Sequence, residues 1–530
     1  MAVEQASRLL VVAVLGAFGC SVAIQGASAR SVGAPTLVVD NSFALDTTDP
    51  QRAYDPTSVI IDRAIYDTLF TYRDKDLTRP IPLLVQSWTS EHARRFTFHL
   101  RRDVHFGDGT PLTSADVVFS LRRLVNLKDN PSYLLAGFTV TARDRYTVVI
   151  ASKTPAPELP SILTVIGIVN SKLVEEHGGT DAADASTKDT AERWFNSSAS
   201  AGAGSGPYEL ESYGQTSQVV LRANPNYWGA KRPAFGRIVL RNMLATAQLL
   251  NIQRGAHQIA LDLSADQAET LKGKQGLRVT LQPSVWVFYA FTNDNPRISS
   301  ITSNERFQEA LRHALDYRGL VSVAGPGATR APGVIPSMIL GSLPRSAAAK
   351  TDLAKAKAAL AASGVGTSRV TLAYPNDITI NGVPFTTLAQ RAQAQLQAAG
   401  FNVALAGSPI NVFQPTFRAG KIALGLWAYA FVYPDPSSYD VFEPGNLIAL
   451  HVGWQAGSDP AVEKLAAKAR LATTPAARGS LYRRIQLGMN ARSPFVPLVQ
   501  PAQAFAATTD LSGAAFSGVY LVDLTRVSPK

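Results

Sequence analysis

Cysteine is almost absent from this sequence of 530 residues, in which Cys20 is the single example. One cysteine excludes a disulfide framework within the chain and any zinc or iron–sulfur site built from several cysteines. Long runs of one charge are also absent, although 51 basic residues outnumber 40 acidic ones and give a net charge of +11. Because no run of five or more basic residues occurs, the charge indicates a mildly cationic surface, and we predict no nucleic-acid partner.

Sequence motifs of common enzymes are missing. The chain contains no G-x-x-x-x-G-K-[ST] phosphate loop, no G-x-G-x-x-G at a strand–helix junction and no G-x-S-x-G nucleophile elbow. Its seven histidines form no H-E-x-x-H motif and no pair at i,i+4 spacing; they are His92, His99, His105, His177, His257, His313 and His451. The sequence therefore predicts no metal site and no cofactor, and it favours a binding protein over an enzyme.

One apolar stretch, residues 9–24, is too short to span a bilayer comfortably. It precedes an Ala-x-Ala pattern that ends at Ala29, and this arrangement is typical of a signal peptide. We therefore predict that residues 1–29 are removed after export to the periplasm. Cys20 leaves an alternative, in which it is the lipid-bearing cysteine of a lipoprotein. No later segment reaches the roughly 18 apolar residues of a membrane helix.

Apolar periodicity in the rest of the chain predicts alternating strands and helices, and hence an α/β fold. We predict strands over residues 36–39, 95–100, 146–150, 219–222, 286–291, 370–374, 403–405 and 494–499. We predict helices over residues 59–69, 305–316, 352–363, 388–399, 461–471 and 476–490, and another that starts after Thr113. Residues 178–206 are rich in small and polar residues, which is typical of a loop or linker, with one short helix near residues 191–195.

Several segments of the sequence occur in an order that matches one protein family. The most specific is residues 96–117, where a strand is followed by a tight turn at Asp108-Gly109 and by a helix whose start Thr113 and Asp116 can cap. The other segments are residues 66–72, 82–88, 206–208, 221–229, 307–316, 435–436 and 494–498. Together they resemble the extracytoplasmic solute-binding proteins of family 5, the peptide/nickel class that serves ABC importers.

The resemblance implies a periplasmic-binding-protein fold of two α/β lobes joined by a hinge. Lobe I would contain residues 30–280, with an extra subdomain over about residues 74–199; lobe II would contain residues 281–493, and residues 494–530 would return to lobe I. The implied function is that of a periplasmic monomer, without enzymatic activity or cofactor, that captures a peptide or peptide-like solute between its lobes. Its partners would be an ABC permease and ATPase complex in the inner membrane.

The candidate ligand-binding residues lie near residues 425–436 and near the expected crossover into lobe II. In peptide-binding members of the family, an aspartate three residues before the acid of an acid–proline pair anchors the α-ammonium of the ligand. Counted back from Asp435, that position holds Val432 here, and whether another acid replaces the aspartate is open. We predict that a more apolar, aromatic pocket is formed by Trp427, Tyr429, Phe431, Val432 and Tyr433 together with Trp286 and Tyr289. The alternative is that these residues pack in the core beside the cleft. For Asp435 we predict a turn role.

Two other function classes remain open on the sequence alone. An exported hydrolase would need a serine, a histidine and an acid that meet in the cleft from distant positions. A peripheral surface or nucleic-acid binder would need a contiguous basic face. Nickel binding is not predicted, because no histidine cluster lies near the candidate pocket.

Overall fold

The computed structural model describes residues 34–73, 76–365 and 368–530. The predicted signal peptide with its cleavage after Ala29 and the alternative lipid attachment at Cys20 lie outside these residues. Within the described ranges, no helix has the length and apolar character needed to cross a membrane.

The first sheet has seven strands and includes segments from both ends of the described chain. In spatial order they are Leu277–Pro283, Ala502–Thr508, Gln258–Ala260, Thr36–Asn41, Arg237–Asn242, Gln218–Ala223 and Tyr208–Tyr213. The central strand, Thr36–Asn41, runs parallel to both neighbours, and the other pairs are antiparallel. Leu37 and Val39 alternate along this strand and are fully buried, since the face they share lies in the core.

The second sheet has six strands. In spatial order they are Thr329–Arg330, Phe495–Gln500, Val287–Thr292, Leu424–Tyr429, Arg369–Pro375 and Asn402–Ser408. The strand Val287–Thr292 is buried at every residue, because Phe288 and Ala290 enter one apolar core and Tyr289 and Phe291 enter another. A strand covered on both faces is apolar throughout rather than alternating.

Helices cover both faces of the second sheet. The core that contains Phe288 is closed by Glu305–Ala314, Tyr317–Val323, Leu353–Ala362 and Phe385–Ala398. The core that contains Tyr289 is closed by Ile410–Arg418, Leu447–His451, Pro460–Leu471 and Pro475–Arg492. The helix predicted over residues 305–316 therefore ends at Ala314, and a separate helix starts at Tyr317.

The third sheet is an antiparallel four-stranded unit beside the helix Ser114–Leu127. Its strands, in spatial order, are Val85–Glu91, Arg95–Leu100, Thr147–Ser152 and Phe138–Asp144. The predicted start of the helix is confirmed: the Asp116 carboxylate accepts a hydrogen bond from the Thr113 backbone N–H at 2.8 Å. The turn at Asp108-Gly109 is confirmed as well, with Gly109 in the left-handed region at φ 84°.

The other elements are short. Further helices are Ser58–Ile65, Leu159–Ile162, Ser171–Glu176, Ala185–Lys188, Glu192–Phe195, Ala245–Asn251 and Ala265–Leu271, and 3₁₀ turns are Asn130–Leu135, Ser198–Ser200, Arg345–Ala347, Pro436–Phe442 and Leu524–Arg526. Two-stranded pairs join Phe70–Arg73 to Asp76–Pro82, Thr379–Ile380 to Val383–Pro384, Leu511–Ser512 to Ser528–Pro529 and Phe516–Ser517 to Leu521–Val522. The helix predicted over residues 59–69 is shorter than expected, because Tyr66 is already extended at φ −116° and ψ 131°.

The glycine-rich end of residues 178–206 packs against the helix Ser58–Ile65 rather than forming a linker. The Gly206 N–H donates to the Ile65 carbonyl at 2.8 Å. A Cβ atom at Gly204 would lie 2.1 Å from the same carbonyl oxygen, so only glycine allows this approach. Composition predicted the irregular backbone, but the close contact depends on a partner far along the chain.

Two short segments connect the first sheet to the second. Residues 284–286 follow the strand that ends at Pro283, and Pro501 alone separates the strands on either side of it. The segments are bonded to each other: the Ser284 N–H donates to the Pro501 carbonyl at 3.0 Å, and the Gln500 amide donates to the Ser284 carbonyl at 2.7 Å.

We propose from these sheet memberships that the first lobe contains residues 34–283 and 502–530, with the third sheet in its subdomain. The second lobe then contains residues 287–500. On this proposal the chain returns to the first lobe at Pro501 rather than at 494, because the strand Phe495–Gln500 pairs within the second sheet.

Candidate functional site

A cavity of about 480 Å³ lies between the two lobes. Its lining comes from residues 50–62 and 518–521 of the first lobe, from residues 124–134 and 165 near the third sheet, from crossing residues 285–286 and from residues 414–451 of the second lobe. A pocket of this size is in the range of small-molecule sites, about 300–1,000 Å³. The ionisable groups in the described lining are Tyr54, Asp55, Asp62, Arg418, Tyr429 and His451.

The wall from the second lobe is aromatic. Trp427 and Tyr429 are two residues apart on one strand, so both point to the same face of the sheet. The Trp427 ring packs against Phe413, with 5.2 Å between centroids, and the Tyr429 hydroxyl donates to the Ser438 carbonyl at 2.9 Å. Phe431 extends the wall beyond the strand. These contacts hold flat apolar surfaces at the cavity.

Trp286 and Val432 also line the cavity. Trp286 belongs to a crossing segment, and its backbone N–H donates to the Ser284 hydroxyl at 3.1 Å. The backbone N–H of Val432 donates to the Ser438 hydroxyl at 3.1 Å. Five of the seven residues predicted from the sequence therefore border the same cavity, and their contact with a ligand stays a prediction.

Tyr289 and Tyr433 lie elsewhere. Tyr289 is 1% exposed and packs edge-on against Phe442 and Phe495, with centroids at 5.4 and 5.7 Å. Tyr433 is buried in the apolar core of the third sheet, and its hydroxyl lies 3.2 Å from the Ser437 hydroxyl. The lining of the cavity described here includes neither residue.

The wall from the first lobe carries two acids and is formed by residues 50–56, the first turns of the helix Ser58–Ile65 and residues 518–521. Ile60, Ile61 and Ala64 anchor one side of this helix in the core. Ser58 and Asp62 are four residues apart, so they share the side that faces the cavity. Asp55 precedes the helix, and its carboxylate accepts from the backbone N–H groups of Thr57 at 2.9 Å and Ser58 at 3.0 Å.

Asp62 differs from Asp55 in having a buried oxygen that nothing satisfies. Among the described residues, no group lies within hydrogen-bond distance of Asp62 Oδ1. Burial raises the pKa of the Asp62 carboxyl well above its usual range, and the nearby charges of Asp55 and Asp49 raise it further. An ionised carboxylate in this position is costly until a cation or a donor meets it.

Arg418 and His451 bring ionisable groups to the opposite wall. Arg418 is exposed at the end of the helix Ile410–Arg418, and in the part of the chain that the structure describes no acidic group lies within 4.0 Å of it. Burial lowers the pKa of His451, and the charge of Arg418 lowers it further, so the imidazole is neutral near pH 7. The cavity thus has two carboxyl groups on its first-lobe wall and the Arg418 guanidinium on its second-lobe wall.

Asp435 is held away from the cavity by an ion pair, as its predicted turn role suggests. Both of its oxygens bond the Arg478 guanidinium at 2.6 Å, and the pair is buried. Asp435 also starts the turn Pro436–Phe442 by accepting from the Ser437 N–H at 2.9 Å. The acid–proline pair of the sequence is therefore structural in this fold.

A larger cavity of about 980 Å³ lies within the second lobe alone. Its lining mixes charges of both signs, such as Glu305, Arg312 and Lys355, and includes no residue of the first lobe. Lobe closure cannot enclose it, so it is not the candidate site. Among the described residues, no group of three or more His, Cys, Asp or Glu side chains is placed to hold a metal ion.

Sequence reasoning missed the first-lobe wall. Asp62 stands in a segment whose apolar spacing predicted a helix, and an acid on such a helix is ordinarily expected in solvent. A weak signal was available, because Tyr54, Asp55 and Asp62 cluster just before the family-like segment 66–72. No pattern in the neighbouring residues indicated that these three side chains would face a cavity.

Comparison with known proteins identifies relatives over most of the chain. The profile of the family described as bacterial extracellular solute-binding proteins, family 5, matches residues 79–440. The probable D,D-dipeptide-binding periplasmic protein DdpA of Escherichia coli K12 is 26% identical over 501 residues, which cover 91% of each chain. The glutathione-binding protein GsiB of Shigella dysenteriae is 25% identical over 524 residues, covering 94% of this chain and 95% of that protein.

Solved structures share the fold. The ABC transporter substrate-binding protein CtaP of Listeria monocytogenes superimposes with a TM-score of 0.80 at 19% identity. The match covers 94% of this chain and 99% of that one. At this identity the match shows the two-lobed fold alone, and the ligand has to be argued from the cavity.

Proposed function

The chain belongs to family 5 of the bacterial extracellular solute-binding proteins, and on that premise we propose that it is the periplasmic component of an ABC importer that captures a short peptide or peptide-like solute. The observation that carries the proposal is the cavity between the lobes, bordered by both lobes and by a crossing segment. A solute that contacts both walls favours the closed arrangement, which the permease and ATPase complex would recognise.

The relatives support a short peptide as the ligand class. One is named for D,D-dipeptides and the other for glutathione, and these ligands share amide groups with a free amine and a free carboxylate. The aromatic wall formed by Trp427, Tyr429 and Phe431, with Trp286 and Val432 beside it, would contact the apolar part of such a ligand. The protein acts as a monomer, exported by its predicted signal peptide.

The serine in the described cavity lining favours binding over hydrolysis. The Ser58 hydroxyl donates to the Asp55 carboxylate, so it is not paired with the imidazole of His451. A nucleophilic serine needs a base within hydrogen-bond reach. We therefore propose that the protein performs no covalent chemistry on its ligand.

A thermal-shift screen followed by solution scattering tests this function. The panel contains L,L- and D,D-dipeptides and glutathione, each added to the full chain. A ligand at 100 times its Kd stabilises the folded state by about 2.7 kcal/mol, so binders should raise the melting temperature. Binders should also reduce the radius of gyration. A panel without any stabilising member, or stabilisation without compaction, would contradict the proposal.

A further inference from the structure

The cavity lining contains an acidic and a basic side chain that have no ion-pair partner among the described residues. Asp62 belongs to the first-lobe wall and Arg418 to the second-lobe wall. We infer that Asp62 anchors the ammonium group of the ligand, in place of the aspartate absent at Val432, and that Arg418 receives its carboxylate. This inference rests on the proposed function and narrows the ligand to a short zwitterion.

Two buried arginines of the first lobe, Arg63 and Arg123, are already paired with other acids. Arg63, next to Asp62 in the chain, lies 3.5 Å from Asp67 and 3.6 Å from Asp523. Arg123 bonds Asp49 at 2.7 Å. Asp62 therefore stands in a negative field without a described cation to balance it, and an ammonium group in the cavity meets that need.

The other acids near the cleft are unsuited to the same task. Asp55 uses its carboxylate to hold the backbone N–H groups of Thr57 and Ser58. Asp435 is saturated by Arg478 through two hydrogen bonds of 2.6 Å. Asp62 is thus the acid of the cavity lining with a buried oxygen left for a ligand, as far as the described residues extend.

Arg418 is placed to act at the other end of the same ligand. Arg418 borders the same cavity as Tyr54 of the first lobe. Burial raises the pKa of Tyr54, and the positive charge of Arg418 partly opposes that increase. Asp62 and Arg418 both border one cavity of about 480 Å³. On this inference a dipeptide places its ammonium at Asp62 and its carboxylate at Arg418. A long peptide would carry its carboxylate out of the cavity.

The test compares two ligands that differ by the ammonium group alone. D-alanyl-D-alanine carries the group, and N-propionyl-D-alanine replaces it with hydrogen; the corresponding L compounds form a second pair. Calorimetry at pH 7 with the full chain gives four affinities, for the wild type and for Asp62→Asn with each ligand. We expect loss of the ammonium to weaken binding to the wild type at least about 30-fold, the low end for removing one partner of a buried charge pair.

Removing the carboxylate of Asp62 should weaken binding as much as removing the ammonium of the ligand. Asp62→Asn should bind the free dipeptide at least about 30-fold more weakly than the wild type, with little further loss on removal of the ammonium. The matched control is Asp262→Asn, which neutralises another first-lobe carboxyl with a burial-raised pKa outside the cavity lining. It should change the affinity less than about 3-fold.

Each outcome decides the inference. Equal affinities of the wild type for the two ligands would overturn it, and this comparison needs no variant to fold. Undiminished binding of the free dipeptide by Asp62→Asn would also overturn it. Absence of binding by every dipeptide and by glutathione would overturn the proposed function together with the inference, whereas dipeptide binding that ignores the ammonium would leave the function standing.

Discussion

Two carboxylates beside the cleft, Asp435 in the second lobe and Asp62 in the first, are held in opposite ways. Asp435 is buried with its charge matched by Arg478 at 2.6 Å through both oxygens. Asp62 lines the cavity, and within the described residues its Oδ1 atom has no partner. Asp435 therefore stabilises the fold through its ion pair, whereas Asp62 is available to bind a ligand.

The comparison shows that an acid in a family motif need not be the acid that binds the ligand. Asp435 belongs to the acid–proline pair that marks the family resemblance, yet its charge is used within the fold. Asp62 belongs to no such landmark, but its environment is the one that favours binding a cation. Removing one partner of a buried ion pair destabilises the protein, and a buried carboxylate without a partner carries a desolvation penalty that a bound cation reduces.

The largest expected difference between the two acids is in their contribution to the stability of the fold. Asp435→Asn removes one partner of a buried ion pair and leaves the Arg478 charge uncompensated, so we expect the free energy of unfolding to fall by about 3 kcal/mol or more. Denaturant titration at pH 7 measures this change.

The matched change at the other acid should act in the opposite direction. Asp62→Asn replaces a carboxyl whose charged form is disfavoured by burial with a neutral group of the same shape, so stability should stay unchanged or rise. If Asp62→Asn destabilised the protein as much as Asp435→Asn does, Asp62 would be a structural group and the comparison would fail.

A second prediction concerns Glu158, which lies 3.9 Å from Arg478 at the edge of the Asp435 ion pair. Burial raises the pKa of Glu158 to about 7; the charge of Asp435 adds to this, and that of Arg478 opposes it. In the unfolded chain the group titrates near about 4.3. Between these values the folded chain holds the extra proton, so stability falls as the pH rises.

Glu158→Gln should remove this part of the pH dependence. Relative to the wild type, the variant should gain at most about 3–4 kcal/mol of stability between pH 4 and pH 8. Unfolding midpoints measured across this range test the prediction. Parallel profiles for the two proteins would show that the Arg478 cluster does not carry a proton on Glu158.

The smallest predicted effect is at the exposed end of the cleft. Arg418→Gln removes a solvent-accessible charge, so the affinity for a free dipeptide should fall no more than about 5-fold, the scale of an exposed ion pair. A C-amidated dipeptide should bind the variant and the wild type equally. An equal loss with both ligands would instead assign Arg418 a role in positioning the wall.

Many helices and strands of this fold can be predicted from the sequence, because their signals come from residues that are close together in the chain. The strand Arg95–Leu100 alternates apolar and polar residues, and Thr113 and Asp116 cap the next helix within one turn. Helix ends are harder to predict: the helix from Ser58 stops at Ile65 because Tyr66 turns into extended backbone. At that end the Ile65 carbonyl accepts a hydrogen bond from the Gly206 N–H, a partner far along the chain.

The site could be predicted only on one wall. Trp427, Tyr429 and Phe431 follow strand spacing, and this spacing alone predicts that they share one face. The same spacing could not separate Tyr289 from them, because its strand is buried on both faces. The role of Asp62 could not be predicted from the sequence, because the lack of a hydrogen-bond partner for its buried oxygen depends on the tertiary structure.

A crystal structure of the full chain with D-alanyl-D-alanine tests the central claim most directly. We predict the ligand ammonium within hydrogen-bond distance of Asp62 Oδ1, about 2.7–3.2 Å, and the ligand carboxylate turned toward Arg418. An ammonium bound to another acid or to water, with no contact between Asp62 and the ligand, would contradict this claim.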